Sequence, residues 1–283
     1  MSAQRSRLSA IVAGASRHRR VALGGGLVVV FVLIALLAGV AAPYDPIKQD
    51  LSQTLKGPSL EHLLGTDELG RDMLTRIMYG ARWSLIIGVS SVAIAAAGGI
   101  VLGLVSGSFG GTTDLITMRV LDVVMTFPSV LFALLLAALL GSGVGNLIIS
   151  VGVLSIPSYA RLVRSVVLSI RQIEFVEAAR AVGCSSGRII LFHLFPNCLS
   201  PIIVHSTYLM AFAILLAASL SFLGVGVPAP TPEWGSMMAT GRNYMNLAQQ
   251  LILIPGSALM VLILAMNILG DGLRDLLDPR LRV

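Results

Sequence analysis

The 283-residue sequence has little charge, few lysines and few cysteines. Only 12% of its residues are charged, against about 25% in typical soluble domains, while 55% are hydrophobic. A water-soluble chain could not keep that much apolar surface away from solvent. The composition therefore excludes an ordinary soluble domain and points to the lipid bilayer as the solvent.

Lysine is nearly absent, and this limits what the chain can do with nucleotides. The lysines are Lys48 and Lys56, and neither follows a glycine in a GK dipeptide. A Walker A loop needs such a lysine to reach the nucleotide phosphates. We therefore expect no ATP site and no bound cofactor in this chain.

The residues that would support metal or hydrolytic chemistry are too few and too scattered. Cys184 and Cys198 form no CxxC motif, so neither a disulfide framework nor a metal site is indicated. The histidines lie far apart along the chain: His18, His62, His193 and His205. The sequence also lacks an HExxH motif, so it does not support a zinc-dependent intramembrane hydrolase.

What the sequence does contain is a series of long apolar runs. A membrane-spanning helix needs about 20 mostly apolar residues. Six runs qualify: 21–42, 84–106, 117–140, 144–160, 201–224 and 250–270. The first follows basic residues, but it exceeds the roughly 7–15 residues of a signal-peptide core, so we expect it to be retained. The sequence predicts an all-α polytopic membrane protein with six transmembrane helices.

The distribution of basic residues gives the predicted orientation. With six spans both termini lie on one side, and that side carries 14 of the 20 Lys and Arg residues, whereas the acids divide evenly. By the positive-inside rule both termini are expected to be cytoplasmic. The net charge of +6 is then a topology signal and not a nucleic-acid footprint.

The chain divides into three parts. Residues 1–82 hold a basic tail, the first span and a long outer segment; residues 83–271 hold the other five spans; residues 272–283 form a cytoplasmic tail. Within the outer segment, Thr66 as N-cap and an apolar stripe at Leu69, Met73 and Ile77 predict an amphipathic helix that lies against the membrane or the bundle and ends at Gly80. Glycines at 98, 99, 103 and 107 predict close helix packing in the second span.

The long inner loop, residues 161–200, has a clear internal pattern. Its first part has one apolar helical face, and Gly183 is expected to end that helix in a left-handed conformation. Ser185 or Ser186 can cap a second short helix, which we expect Pro196 to end before the fifth span. This pattern predicts a helix–turn–helix knob. By itself the pattern fits equally a docking element and a solvated connecting loop.

The same loop resembles the EAA signature of ABC importer permeases. The resemblance rests on Glu177, Ala178, Ala179, Gly183 and the Phe195–Pro196 pair. His193 stands where the general pattern has an aliphatic residue, and the resulting H-x-x-P-N resembles the oligopeptide/dipeptide branch. Four further stretches are similar to that branch: LGTDELGRD at 64–72, YGARWSLIIG at 79–88, DVVMTFPS at 122–129 and SFLGVGVPAPTPEWGSMM at 221–238. The extended outer segment makes the chain most similar to the second permease subunit.

The resemblance implies a permease subunit of an importer for di- or oligopeptides in a bacterial plasma (inner) membrane, although related members carry nickel complexes or other small solutes. The implied partners are a second homologous permease subunit, two cytoplasmic ATPase subunits that bind the ATP, and an extracytoplasmic peptide-binding protein. The residues implied to dock an ATPase are Glu177, Ala178, Ala179, Arg180, Gly183, His193 and Pro196.

A Pro- and Gly-rich stretch at 225–249 is expected on the outer side. Its residues Pro232, Glu233, Trp234 and Gly235 are candidates for an outer gate or for a dock of the binding protein. A rigid outer loop with an interfacial Trp would show the same pattern, and both interpretations stay open.

A secondary transporter is the main rival from another functional class. Such carriers usually need ionisable residues deep within their spans. Here the charged residues of the third span, Asp114, Arg119 and Asp122, lie near its inner end, and Arg119 and Asp122 are spaced to pair with each other. The sequence therefore disfavours an ion-coupled carrier.

Overall fold

The computed structural model describes residues 19–277. Within this range the chain is helical and contains no β-strand; Thr66 and Asp72 form an isolated bridge. The predictions for the terminal tails at 1–18 and 278–283 lie outside the described residues.

Ten α-helices make up the fold within the described residues. They are α1 (Arg19–Ala41), α2 (Met73–Phe109), α3 (Gly111–Thr126), α4 (Ser129–Leu140), α5 (Val144–Ile170), α6 (Glu174–Ala181), α7 (Ser186–Ile189), α8 (Phe195–Phe222), α9 (Trp234–Gly241) and α10 (Gln250–Leu277). A π-helical segment, Ile190–Leu194, joins α7 to α8, and short 3-10 turns lie at Leu51–Gln53 and Arg242–Tyr244. Five helical stretches are long and apolar enough to cross a membrane, or six if the bent pair α3–α4 is counted as one span. The predicted all-α polytopic class is confirmed.

The third span is not the continuous helix predicted for 117–140. The chain breaks between Thr126 and Ser129, and α3 and α4 meet there at 91°. Pro128 lacks a backbone N–H and disfavours helical geometry at the preceding residue. Phe127 accordingly adopts an extended conformation.

Helices α2 and α5 form the closest pair in the bundle, and glycines allow their approach. A Cβ atom on Gly103 would lie 2.6 Å from the carbonyl oxygen of Ala160, and one on Gly107 would lie 2.8 Å from Val167 Cβ. The predicted packing role of these glycines is confirmed. Helix α8 packs against both α2 and α5, α10 packs against α1 and α8, and the short helix α9 lies between α8 and α10.

The two ends of the bundle carry different parts of the chain, and we call them the segment end and the loop end. Helix α2 has 37 residues and therefore runs for about 55 Å. The segment end holds the start of α2, residues 43–72 and α9. The loop end holds the end of α2 and residues 171–194, because Arg171 Nη1 donates a hydrogen bond to the Gly107 carbonyl at 3.1 Å.

The amphipathic helix predicted from Thr66 to Gly80 is wrong. Residues 66–72 form a turn, in which Asp67 accepts hydrogen bonds from the backbone N–H groups of Leu69 and Arg71. The N-cap is Asp72, whose side chain accepts from Thr75 N at 2.7 Å, and the helix then continues through Gly80 to Phe109. Competition from side-chain hydrogen bonds delays the helix start by one turn or more. Of the apolar stripe, Met73 and Ile77 belong to the second span itself, and Leu69 lies in the preceding turn.

The fourth and fifth spans are also longer than predicted. Helix α5 continues past residue 160 to Ile170, so the first part of the predicted loop is an extension of the span. Pro196 does not end a helix, because it sits in the first turn of α8, where its missing N–H costs little. Residues 186–222 consequently form one uninterrupted helical stretch.

Candidate functional site at the loop end

Helix α6 is held against the bundle along one face. Val176 and Ala179 are buried there and pack in one cluster with Val163, Val167 and Leu194. The hydrogen bond from Arg171 to the Gly107 carbonyl fixes the turn that leads into α6. Through this buried cluster α6 is packed together with residues of α5 and α8 and with Leu104 near the end of α2.

The opposite face of α6 is exposed and mixes charge with apolar surface. Glu177, Ala178 and Arg180 are exposed, and Val182, just after the helix, is 80% exposed. Within residues 19–277, neither Glu177 nor Arg180 forms an ion pair. This face therefore carries polar and apolar groups that the described chain leaves open to a partner.

The end of α6 matches the prediction from the sequence. Gly183 has φ of +83°, in the left-handed region where a side chain is disfavoured. Its N–H donates to Arg180 O at 3.0 Å, and the next N–H, from Cys184, donates to Ala179 O at 3.0 Å. Ser185 stands at the N-cap position of α7, although its side chain makes no capping hydrogen bond within the described residues.

The predicted docking residues do not all lie on the exposed face. Ala178 is exposed, but Ala179 is buried against the bundle itself, so the idea that both alanines admit a partner is wrong for Ala179. His193 lies on the π-helical segment with its ring 6.3 Å from the ring of Phe175. Pro196 is exposed at the start of α8, further from α6 in the chain.

Two ion pairs connect α3 to the loop-end half of α5. Arg161 pairs with Asp122 at 2.6 Å, and Arg164 pairs with Asp114 at 2.5 Å. The predicted pairing of Arg119 with Asp122 is therefore wrong. Spacing within one helix could not reveal partners that lie 39 and 50 residues away.

The candidate gate or dock at 232–235 lies at the segment end and is buried. Glu233 is 2% exposed and its carboxylate accepts hydrogen bonds from Gly235 N and Ser236 N, which caps α9. Trp234 is fully buried and donates to the Ile77 carbonyl at 3.2 Å. Pro232 and Gly235 are buried as well, so these residues do not form a dock on this chain's surface. A role in an outer gate stays a prediction.

Burial also sets the ionisation of Glu233. Loss of solvent raises the pKa of this carboxyl, against the smaller opposing effect of the two backbone N–H groups. In the fold, Glu233 caps α9. Helix α9 packs tightly against α8, since a Cβ atom on Gly235 would lie 2.7 Å from Ala218 Cα.

Sequence reasoning missed a network of buried charges at the segment end. Asp67 contacts Arg71 Nε at 2.6 Å and Arg76 Nε at 3.3 Å, and Glu68 contacts Arg71 Nη2 at 2.7 Å. Arg76 also donates to the Pro46 carbonyl at 2.9 Å, which ties the outer segment to α2. The signal was present in LGTDELGRD, where acids precede Arg71 by three and four residues.

No group of three or more His, Cys, Asp or Glu residues within 19–277 is arranged to hold a metal ion.

Two family models match parts of the chain. Residues 99–283 match the family described as binding-protein-dependent transport system inner membrane component. Residues 15–58 match the N-terminal TM domain of oligopeptide transport permease C.

Curated relatives extend the match over most of the chain. The dipeptide transport system permease protein DppC of Alkalihalophilus pseudofirmus is 44% identical over 91% of this chain and 85% of its own. The di/tripeptide transport system permease protein DppC of Pseudomonas aeruginosa is 43% identical over 94% of this chain and 90% of its own. The glutathione transport system permease protein GsiD of Escherichia coli is 43% identical over 94% and 88%.

A solved structure shares the fold. The crystal structure of an amino acid ABC transporter with histidines superposes with a TM-score of 0.55 at 15% identity, covering 72% of this chain and 95% of that chain. With both family models and the curated relatives in agreement, the chain belongs to the family of binding-protein-dependent transport system inner membrane components, as an ABC importer permease subunit of the oligopeptide permease C branch.

Proposed function

We propose that this chain forms one half of the translocation pathway of a bacterial plasma-membrane importer for di- and oligopeptides. It would work with a second permease subunit, two cytoplasmic ATPase subunits and an extracytoplasmic binding protein. The names of its relatives, which refer to dipeptides, di/tripeptides and glutathione, support a small peptide as the substrate.

The observation that carries this proposal is the two-sided construction of α6. One face is fastened to the bundle through Val176 and Ala179, while the other exposes Glu177, Arg180 and Val182. A helix attached firmly on one side and open on the other suits a rigid coupling element. An ATPase that grips the exposed face would displace α6, and the packed cluster would pass that displacement to α5 and α8. The helices would then swing between two access states as rigid bodies.

The positive-inside rule supports an orientation of the chain in the membrane. In the described part of the chain, the loop end carries a group of arginines: Arg161, Arg164, Arg171, Arg180 and Arg188. The loop end would therefore face the cytoplasm, where the ATPases are, together with both termini. The segment end and α9 would face the binding protein.

Substitution of Glu177 tests the docking assignment. Glu177→Lys reverses an exposed charge on α6, so we expect the ATPases to be lost on purification and peptide uptake to fail, with membrane insertion unchanged. The matched control is Glu61→Lys, an identical change at an exposed position of the segment end. Normal ATPase binding and uptake in the Glu177 variant would refute the docking assignment.

The substrate class is tested separately. A strain lacking this chain should lose uptake of radiolabelled dipeptides and regain it on complementation, with nickel uptake unaffected. Loss of nickel uptake and retention of dipeptide uptake would support the alternative of a metal-complex importer.

A secondary carrier is the more distant alternative. Within residues 19–277 the buried charged residues all lie at the segment end: Asp67, Arg71, Asp72, Arg76 and Glu233. The centre of the bundle thus carries no buried charge in the described chain to bind a coupling ion. Transport by the purified chain alone under a proton or sodium gradient would favour the carrier.

A further inference from the structure

Two cavities lie in series along one face of the bundle. A cavity of about 640 Å³ at the loop end is lined by α8 and by parts of α5 and α10, including Asn197 and Arg274. A second, of about 400 Å³, lies beside the α3–α4 break and is lined by Phe127, Leu209 and Phe212. Both volumes fall within the range of about 300–1,000 Å³ that is typical of small-ligand pockets.

The same two helices supply the walls of both cavities. On α8 the lining residues recur about every four positions, which keeps them on one helical face: Asn197, Pro201, His205, Leu209 and Phe212. On α5 the corresponding residues are Ser155, Ser158 and Leu162. The cavities are therefore consecutive parts of one α5–α8 face.

A single hydrogen bond marks the point where the cavities meet. Ser158 lines the cavity beside the break, His205 lines the loop-end cavity, and Ser158 Oγ lies 2.9 Å from His205 Nε2. The Tyr159 ring meets the His205 ring edge-on at 5.1 Å, and Tyr159 is held in turn by Ser206 at 2.6 Å. The contact with Tyr159 thus helps to hold the His205 imidazole in place, and the hydrogen bond with Ser158 lies where the two cavities meet.

We infer that Ser158 and His205 are the residues that contact the peptide bonds of the substrate as it crosses between these cavities. This inference rests on the proposed function. A peptide that leaves water must find partners for its N–H and C=O groups, because a buried unpaired group costs about 1–3 kcal/mol. The wall beside the break is mostly apolar, with Val124, Met125 and Phe127 on α3 and in the break that follows it, and it offers few such partners.

The chemistry of the pair fits this task. A serine hydroxyl donates and accepts, and a neutral imidazole has one donor and one acceptor nitrogen. His205 Nδ1 makes no hydrogen bond within residues 19–277. When α5 and α8 separate, the Ser158–His205 bond opens and each partner is free to bond an amide of the passing peptide. When α5 and α8 come together again, Ser158 and His205 re-form their hydrogen bond and separate the two cavities.

The test uses the complete importer with its binding protein in proteoliposomes, and radiolabelled dialanine as the probe. Ser158→Ala and His205→Leu each remove one hydrogen-bonding group. We expect the dialanine imported per ATP hydrolysed to fall about 2- to 10-fold, as loss of one hydrogen bond implies, with the ATPase rate unchanged. His205→Gln, whose amide can replace Nε2, should retain most transport. Ser219→Ala, which changes a half-buried serine of α8 that lines neither of these two cavities, should behave as the parent.

Unchanged transport per ATP in both variants would overturn the inference while leaving the proposed function intact. Equal loss in His205→Gln and His205→Leu would also overturn it, because shape and not hydrogen bonding would then matter. Absence of dialanine uptake by the unsubstituted importer would overturn the proposed function and this inference together.

A second measurement does not depend on transport. In a chain whose native thiols Cys184 and Cys198 are replaced, the Ser158→Cys variant should react with a charged methanethiosulfonate reagent, and dialanine with the binding protein and ATP should slow the reaction. In the Ser219→Cys variant, dialanine should leave the rate of reaction unchanged. Failure of the Ser158→Cys variant to react, in an importer that still hydrolyses ATP, would overturn the place of Ser158 in the route.

Discussion

The segment end and helix α6 at the loop end treat their charged residues in opposite ways. At the segment end Asp67, Arg71 and Arg76 are buried, and Asp67 forms ion pairs with both arginines. At the loop end Glu177 and Arg180 are exposed and form no ion pair within the described chain. The charges at the segment end are paired within the chain, whereas those on α6 are available to a partner protein. Charge at the segment end should therefore govern folding, whereas charge at the loop end should govern assembly.

The largest expected effect on stability comes from Asp67→Ala at the segment end. Removing this carboxylate leaves Arg71 and Arg76 buried beside a missing partner, and breaking a buried pair in this way costs about 3–5 kcal/mol. Thermal unfolding in detergent should show a large fall in Tm and low yield. Glu61→Ala, an exposed acid of the same segment, should change stability by less than about 0.5 kcal/mol. A Tm of the Asp67 variant equal to that of the parent would contradict the claim that charge at the segment end governs folding.

A smaller effect is expected from Glu233→Ala, which removes the cap of α9. Loss of a capping side chain costs about 0.5–2 kcal/mol, measured again by unfolding in detergent. The control is Glu233→Gln, which keeps an acceptor in place. Equal stability of all three proteins would show that the cap contributes nothing.

The same residue predicts a pH dependence. Because burial raises the pKa of Glu233 in the fold, the folded state binds a proton that the unfolded state has released. Stability contributed by this group is present below its ordinary pKa and is lost as pH rises through the raised value. The stability of Glu233→Gln should therefore increase relative to that of the parent as pH rises above the ordinary pKa of glutamate. A constant difference across pH would argue against a buried carboxyl.

Gly183 sharpens the contrast at the loop end. Gly183→Ala places a side chain at φ of +83°, which costs about 1–2 kcal/mol. This cost falls on the end of α6 and not on the bundle. We expect reduced ATPase binding and uptake with Tm nearly unchanged, and a stronger effect from Gly183→Pro. Gly183→Asn, which tolerates this conformation, should be close to the parent, and an Ala variant as active as the Asn variant would contradict the assignment.

The smallest effect on stability is expected from Val182→Ser. Val182 is 80% exposed, so its loss should alter the free energy of unfolding by less than about 0.5 kcal/mol. If an ATPase covers it, association should weaken by about 1 kcal/mol or more, measured by titration of the ATPase onto the purified permease. Leu60→Ser, at a 99% exposed position of the segment end, is the matched control. Equal weakening by both changes would indicate a general surface effect.

Features that depend on neighbouring residues could be predicted from the sequence. The apolar runs indicated the spans, and Gly183 indicated the end of α6, because hydropathy and helix capping act within a few residues. The break at Phe127–Pro128 was within reach of the same reasoning, since a proline in an apolar run weakens a continuous helix. The start of α2 was missed because Asp67 accepts from the N–H groups of Leu69 and Arg71 and holds them in a turn, and the sequence does not show that Asp72 caps the helix in place of Thr66.

The docking surface was predicted only in part, and the missing part depends on packing. Ala178 and Ala179 are adjacent and chemically identical, yet one is exposed and the other is buried against α5 and α8. Likewise, Glu233 has the sequence features of a loop acid and is 2% exposed. Exposure depends on which helix passes nearby, and that is not encoded in the local pattern.

The sequence by itself determined that this protein is a membrane protein and that an ordered helix ends at Gly183. Those properties follow from hydropathy and from backbone geometry. The tertiary structure decided which charges pair, which face of α6 is open and where α5 and α8 leave cavities. Contacts such as Trp234 with Ile77, 157 residues apart, exist only after the helices have packed, because the free energy that selects them comes from the assembled bundle.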